Sequence, residues 1–166
     1  MPFSLHDASA GTFLRMLTNL DGILGKAEAY AGERGFSPDN YIAQRLAPDM
    51  RPFSFQIQSA TDRAKLYLAR VTGTDAPSWP DNEKSFAELR ERARKGIDYI
   101  QGFQASQLDG LEDKVVTLKL RGSDVDMTAL DYLQKNAYPN FYFHVTTAYA
   151  LLRQAGVPIG KRDFTG

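Results

Sequence analysis

Two histidines, His6 and His144, are the only imidazoles in the chain, and the chemistry the sequence can offer turns mainly on them. Imidazole is the side chain whose ordinary pKa lies nearest neutrality, so it serves as proton donor, proton acceptor or metal ligand. His144 sits in Phe141, His144, Ala148, Leu151, Ala155, a three-four spacing that sets it on the inward stripe of a helix. His6 precedes Ala10 and Phe13 on the equivalent stripe of an N-terminal helix. With Gln56 or Asp62 from a second helix, the two histidines could line one polar pocket. A packed, hydrogen-bonded histidine is the commoner fate of such a residue.

A mononuclear metal site needs about three protein ligands and an open position. His144 is followed one turn later by Ala148, so no HxxxH pair exists, and His144 is the single candidate ligand. No tight metal site is expected, and a divalent ion would have to be completed by carboxylates. Tyr142, Tyr149 and Arg153 recur at helical spacing near His144, where phenol and guanidinium groups could serve an anionic ligand. The candidate ligand-binding set is therefore Gln56, His144, Tyr149 and Arg153, with His144 the candidate catalytic group. Against this, tyrosines commonly flank a core, and Arg153 in a last turn complements the helix dipole. No GxSxG, GxGxxG or P-loop occurs.

The helices that must carry these residues are legible from periodicity. Ser4 and Asp7 resemble a capping box ahead of Ala10, Phe13, Leu17, Leu20, Leu24 and Ala27, predicting a helix from about 5 to 33 that Gly32 and Gly35 end. A short helical turn is expected over 41–46. Asp49 can cap a second helix with Pro52 in its first turn and an inner stripe of Phe53, Ile57, Ala60, Ala64, Leu68 and Val71, ending at Gly73. The turn-rich segment 74–82 is long enough to cross from one end of a bundle to the other. Ser85 and Glu88 cap a third helix with Phe86, Leu89, Ala93, Ile97, Ile100 and Phe103 inward. Its charged run of Arg90, Glu91, Arg92, Arg94 and Lys95 reads as a solvated face.

Lys114 to Leu120 alternates with β-branched enrichment and predicts a hairpin with 125–130 across a turn at 121–124. A helical lead-in over 132–136 precedes a fourth helix from Pro139 to Gly156. The tail Val157-Pro158-Ile159 cannot continue that helix. It can lay Ile159 and Phe164 on apolar surface, while Lys161 and Arg162 beside Asp163 are a candidate anion clamp. The expectation is one all-α domain, 1–166: four main helices, a long crossover between the second and third, and a small β-hairpin before the fourth.

Composition narrows the partners. Twenty basic residues balance twenty acidic ones, so no bulk charge draws the protein to nucleic acid or to an anionic membrane surface. There is no cysteine, which excludes disulfides, thiolate metal sites and a cysteine nucleophile. With no apolar stretch of about 20 residues and no signal-like N-terminus, a soluble cytoplasmic protein is expected.

Three motifs, Arg45-Leu46-Ala47-Pro48-Asp49-Met50, Pro139-Asn140-Phe141-Tyr142-Phe143-His144-Val145-Thr146-Thr147-Ala148-Tyr149 and Gly160-Lys161-Arg162-Asp163-Phe164, carry a resemblance. The chain resembles a bacterial domain-of-unknown-function family within the superfamily of DinB-like and YfiT-like metalloenzymes. The resemblance implies a DinB-like four-helix bundle and a homodimer. It also implies a site where better understood members hold a divalent metal with three histidines, and some act as thiol-dependent transferases or isomerases. By helix offset Gln56, His144 and Ala148 occupy those three positions, so one ligand of three is retained. The expectation is a small-molecule-binding protein with a degenerate metal site and no assured cofactor. The alternative is a metal-assisted or His144-dependent enzyme of the transferase or isomerase kind.

Overall fold

The apolar stripes converge as their spacing requires. In the computed structural model, which describes residues 3–166, Phe13, Leu17, Leu20, Leu24 and Ala27 of α1 (Thr12–Arg34) are all fully buried. So are Phe53, Ile57, Ala60, Ala64, Leu68 and Val71 of α2 (Phe53–Thr72). The chain is mostly helical with one small antiparallel sheet. Two further long helices are α3 (Phe86–Gln101) and α6 (Tyr138–Gln154). Shorter ones are α4 (Ala105–Leu108), α5 (Ala129–Tyr132) and α7 (Lys161–Thr165). No helix among the described residues is long and apolar enough to cross a membrane.

Side-chain contacts give the directions of the long helices. Arg90, early in α3, meets Asp21 and Glu28 of α1, while His6, ahead of α1, meets Phe103 beyond the end of α3, so these two helices run antiparallel. Gln56 at the start of α2 meets His144 of α6, and Tyr67 near its end donates to the carbonyl of Ala129, so this pair is antiparallel too. Phe53 and Phe86 stack with centroids 5.9 Å apart, which puts the starts of α2 and α3 at the same end. Parallel neighbours need a connection that travels the length of a helix. The segment 73–85 is that crossover.

Local chemistry sets the boundaries, with several departures from the sequence pattern. The first helix does not run unbroken from residue 5: Asp7–Gly11 forms a π-helical turn before α1. Ser4 accepts from the Asp7 N–H as a cap should, but Asp7 does not reach back. The His6 N–H instead donates to Asp109, 103 positions away in sequence. Gly35, at φ +75°, stops α1, whereas Gly32 lies within it. The short helical turn expected at 41–46 lies earlier, as a 3₁₀ turn at Pro38–Tyr41 capped by Ser37. Pro52, rather than Asp49, occupies the N-cap position of α2, and no side chain caps the helix there. The Ser85/Glu88 box is present, and its backbone N–H donors hold the Glu88 carboxyl below its usual pKa.

Strands β1 (Val115–Leu120) and β2 (Ser123–Thr128) form the hairpin with Val116 opposite Met127 and Leu118 opposite Val125. Its turn is the two residues Arg121 and Gly122, both at positive φ as a type I′ turn requires, so the second strand begins two residues earlier than the pattern suggests. Ahead of α6, Leu133–Ala137 widens into a π turn. Pro139 explains this: a proline offers no N–H, and its ring would clash with the carbonyl four residues earlier unless the preceding turn opens. The tail is helical, which was not anticipated. Val157 and Ile159 are buried, and Asp163 accepts from the Gly160 N–H to start α7.

Candidate functional site

The α2–α6 seam brings Gln56 and His144 together. His144 Nδ1 lies 2.8 Å from Gln56 Oε1. The Gln56 amide is itself anchored, because its Nε2 donates to the carbonyls of Arg51 at 2.9 Å and Pro52 at 3.4 Å. With the NH2 end committed to two acceptors, Oε1 must face the ring. The network therefore assigns the proton to Nδ1 and leaves a lone pair on Nε2. This amide does what a carboxylate or carbonyl does for many functional histidines: it fixes one tautomer and one orientation.

His144 is 8 % exposed, and Phe55 and Phe143 meet its ring edge-on with centroids 5.8 and 5.3 Å away. Burial, reinforced by the positive charge of Arg63, pushes its pKa from 6.5 down to about 4. The imidazole is neutral at physiological pH. Phe143 is more than half exposed, so the ring lies just beneath the surface rather than deep in the core.

Other residues expected to join this pair lie elsewhere. His6 bonds Asp7 at 3.2 Å and the Phe103 carbonyl at 3.3 Å, away from the seam. Asp62 is six positions after Gln56, a rotation that turns it to the α3 side, where it pairs with Arg92 and Lys65. Tyr149 packs against Phe164 of α7, with centroids 5.8 Å apart. Arg153 is nine residues after His144, half a rotation away, and its guanidinium reaches the Val157 carbonyl at 3.5 Å. Asp163 of the suspected anion clamp pairs with Lys26. Sequence reasoning passed over Phe55, Phe143 and Arg63. Arg63 was detectable, since it follows Gln56 by seven residues and so shares its face.

Among the described residues, no three His, Asp or Glu side chains gather closely enough to hold a metal ion. Ala148, buried on the same stripe as His144, brings no donor. The donors present, one imidazole and one neutral amide, do not fit a tightly held divalent cation.

A second polar cluster lies under the crossover. Arg92 is 3 % exposed and is not part of a solvated face. It donates to Thr61 at 3.1 Å, Asp62 at 3.0 Å, Asp81 at 3.2 Å and Glu83 at 2.8 Å. Trp79 lies against both Lys65 and Arg92, 4.3 and 5.3 Å from its ring centroid. Beside them opens a cavity of about 430 Å³ lined by Trp79, Glu83, Glu91, Arg92 and Lys95, among others.

Residues 5–165 match the model of a domain of unknown function, DUF1993. The chain belongs to this family. Among curated proteins, no sequence matches it. Among solved structures, a crystal structure of a DinB family member protein from Shewanella denitrificans is similar at 36% identity and a TM-score of 0.88, covering 98% of this chain and 92% of that one. The chain is thus a family member of DinB-like fold. The coarse architecture implied by the three motifs holds.

Proposed function

We propose that this protein is a DinB-type four-helix bundle whose α2–α6 seam binds a small molecule, with His144 acting as a fixed hydrogen-bond acceptor in place of a metal centre. The observation that carries this reading is the Gln56 lock. It fixes the imidazole in one tautomer and leaves the Nε2 lone pair without a partner among the described residues. The low pKa favours binding over proton transfer, because a base that titrates near 4 takes a proton from a substrate only weakly at neutral pH.

The same Nε2 lone pair supports a second reading, an enzyme in which His144 ligates a metal ion completed by substrate or solvent. Elemental analysis of protein purified without chelator separates the two. The expected result is no stoichiometric metal, together with His144 ring resonances that move when small molecules are titrated. Stoichiometric divalent metal that disappears in His144→Ala overturns the binding reading in favour of the metalloenzyme.

A further inference from the structure

The seam contains a second unmet polar demand beside the His144 lone pair. Arg63 Nε is buried and has no hydrogen-bond partner among the described residues. Arg90 and Arg92, by contrast, are held by carboxylates, Arg90 by Asp21 and Glu28 and Arg92 by Asp62, Asp81 and Glu83. A buried polar group without a partner is uncommon enough in folded proteins to call for an explanation.

Arg63 lies two helical turns beyond Gln56 on the face that α2 turns to α6, and its charge reaches His144 strongly enough to disfavour the imidazolium. Phe55 and Phe143 border the imidazole with aromatic edges, and the Arg51 guanidinium lies 4.5 Å over the Phe55 ring. The seam therefore combines an arginine whose Nε has no acceptor, a ring nitrogen whose lone pair has no protein donor, an aromatic border, and a second cation at its rim.

We infer that the seam selects small carboxylates that also carry a hydroxyl or amine donor beside an apolar group, with the carboxylate on Arg63 and the donor on His144 Nε2. The inference rests on the binding reading above and adds the ligand's chemistry to it. A water molecule could bridge both groups, but it would leave the guanidinium charge without a counter-ion. Carboxylate and guanidinium suit each other in charge and in planar geometry. A neutral imidazole accepts from a hydroxyl without needing to be charged, so both demands are met by one ligand at neutral pH.

The test uses the intact protein and three probes that differ by one group: 3-phenyllactate, 3-phenylpropionate, which lacks the hydroxyl, and 3-phenyllactamide, which lacks the charge. With two histidines in the chain, ring carbon–proton spectra report His144 directly and carry His6 as an internal control. Phenyllactate should shift the His144 signals and leave those of His6 unmoved. It should bind about tenfold more tightly than phenylpropionate, the factor expected of one good hydrogen bond. Arg63→Gln should bring phenyllactate down to the affinity of the amide, with the His6 signals showing that the variant is folded. Equal binding of carboxylate and amide, equal binding with and without the hydroxyl, or indifference to Arg63→Gln overturns the ligand class and leaves a pocket of other preference. If none of the three probes moves the His144 signals, the ligand class and the binding reading beneath it both fall.

Discussion

The guanidinium of Arg92 donates through Nε to Thr61 Oγ1 at 3.1 Å, joining α3 to α2 beneath the crossover. The hydroxyl of Thr61 is in turn committed to the carbonyls of Ile57 and Gln58, at 3.2 and 2.8 Å. The remaining guanidinium hydrogens go to Asp62 on α2 and to Asp81, Glu83 and the Pro80 carbonyl on the crossover. One side chain therefore ties two parallel helices to the strap that makes their parallel arrangement feasible.

Replacing Arg92 with Ala should leave Glu83 without its cation and Asp62 with Lys65 alone. Removing one partner from a buried ion pair typically costs about 3–5 kcal/mol. The lower figure is the expectation here, because Asp62 and Asp81 keep partial access to water. Urea denaturation gives the stability. Trp79, the chain's single tryptophan, gives the local readout, since its emission should shift to the red as the crossover loosens. Unchanged stability and unchanged emission would mean that the cluster is incidental to the crossover.

At Gly96, α3 packs tightly against both α1 and α2. A Cβ there would lie 3.2 Å from Leu17 Cδ1 and 3.2 Å from Thr61 Cγ2. Alanine gains about 1 kcal/mol over glycine in a helix interior, while overpacking a tight core costs roughly 1–3 kcal/mol. The second effect should win for Gly96→Ala, because Thr61 is held by its own hydrogen bonds and cannot yield without disturbing Arg92. A lower melting temperature is expected. Gly22→Ala on α1, where a Cβ meets nothing within 4 Å, should be neutral or stabilising in the same assay.

The tail gives a third expectation. Phe164 packs on Tyr149, its carbonyl accepts from Asn19 at 3.0 Å, and Asp163 pairs with Lys26, so α7 is clipped to α1 and α6 by three separate contacts. Phe164→Ala should cost about 1–3 kcal/mol, less than the loss of a fully buried phenylalanine, since Phe164 is only half-buried. Amide exchange should then quicken in 160–166 first. Uniform acceleration across the whole chain would show that the tail folds as part of the core rather than as an addition to it.

The stripes of α1, α2 and α3 were readable because burial imposes a three-four spacing that few other structures share, and glycines and capping residues mark helix ends locally. Arg92 was misread for the converse reason. A mixed-sign charge run looks alike whether it faces water or lies beneath a crossover, and only the folded chain brings Asp81 and Glu83 over it. At the candidate site, His144 stands out by its place on an inward stripe and Gln56 by the helix offset that the resemblance supplies, and the two do meet. Tyr149 and Arg153 share a helical face adjacent to that of His144, but the rotation between the two faces is enough to turn them to α7 and to the Val157 carbonyl instead of the seam. Arg63 shares the face of Gln56 at a seven-residue spacing, but nothing in the sequence tells that it goes unpaired, since an arginine on a helix usually finds a partner. Its significance lies in the partner that the fold does not give it.

The depressed pKa of His144 predicts a specific dependence of stability on pH. Its ordinary value is 6.5, and in the folded protein it titrates at about 4, so between those values the unfolded chain binds a proton that the native state does not. Stability then rises with pH across this window, and the contribution is present in full above about pH 6.5 and is lost as pH falls toward 4. The displacement corresponds to roughly 3 kcal/mol. Glu88, Asp109 and Asp163 also have lowered pKa values, each held mainly by hydrogen bonds, and they erode stability at the acidic end as well. The histidine must therefore be isolated by difference. His144→Gln cannot titrate, so urea midpoints measured at pH 7 and pH 4.5 should fall by clearly more in the native protein than in the variant. Parallel falls would show that burial does not hold His144 neutral in solution, and the fixed acceptor on which the binding reading depends would be lost with it.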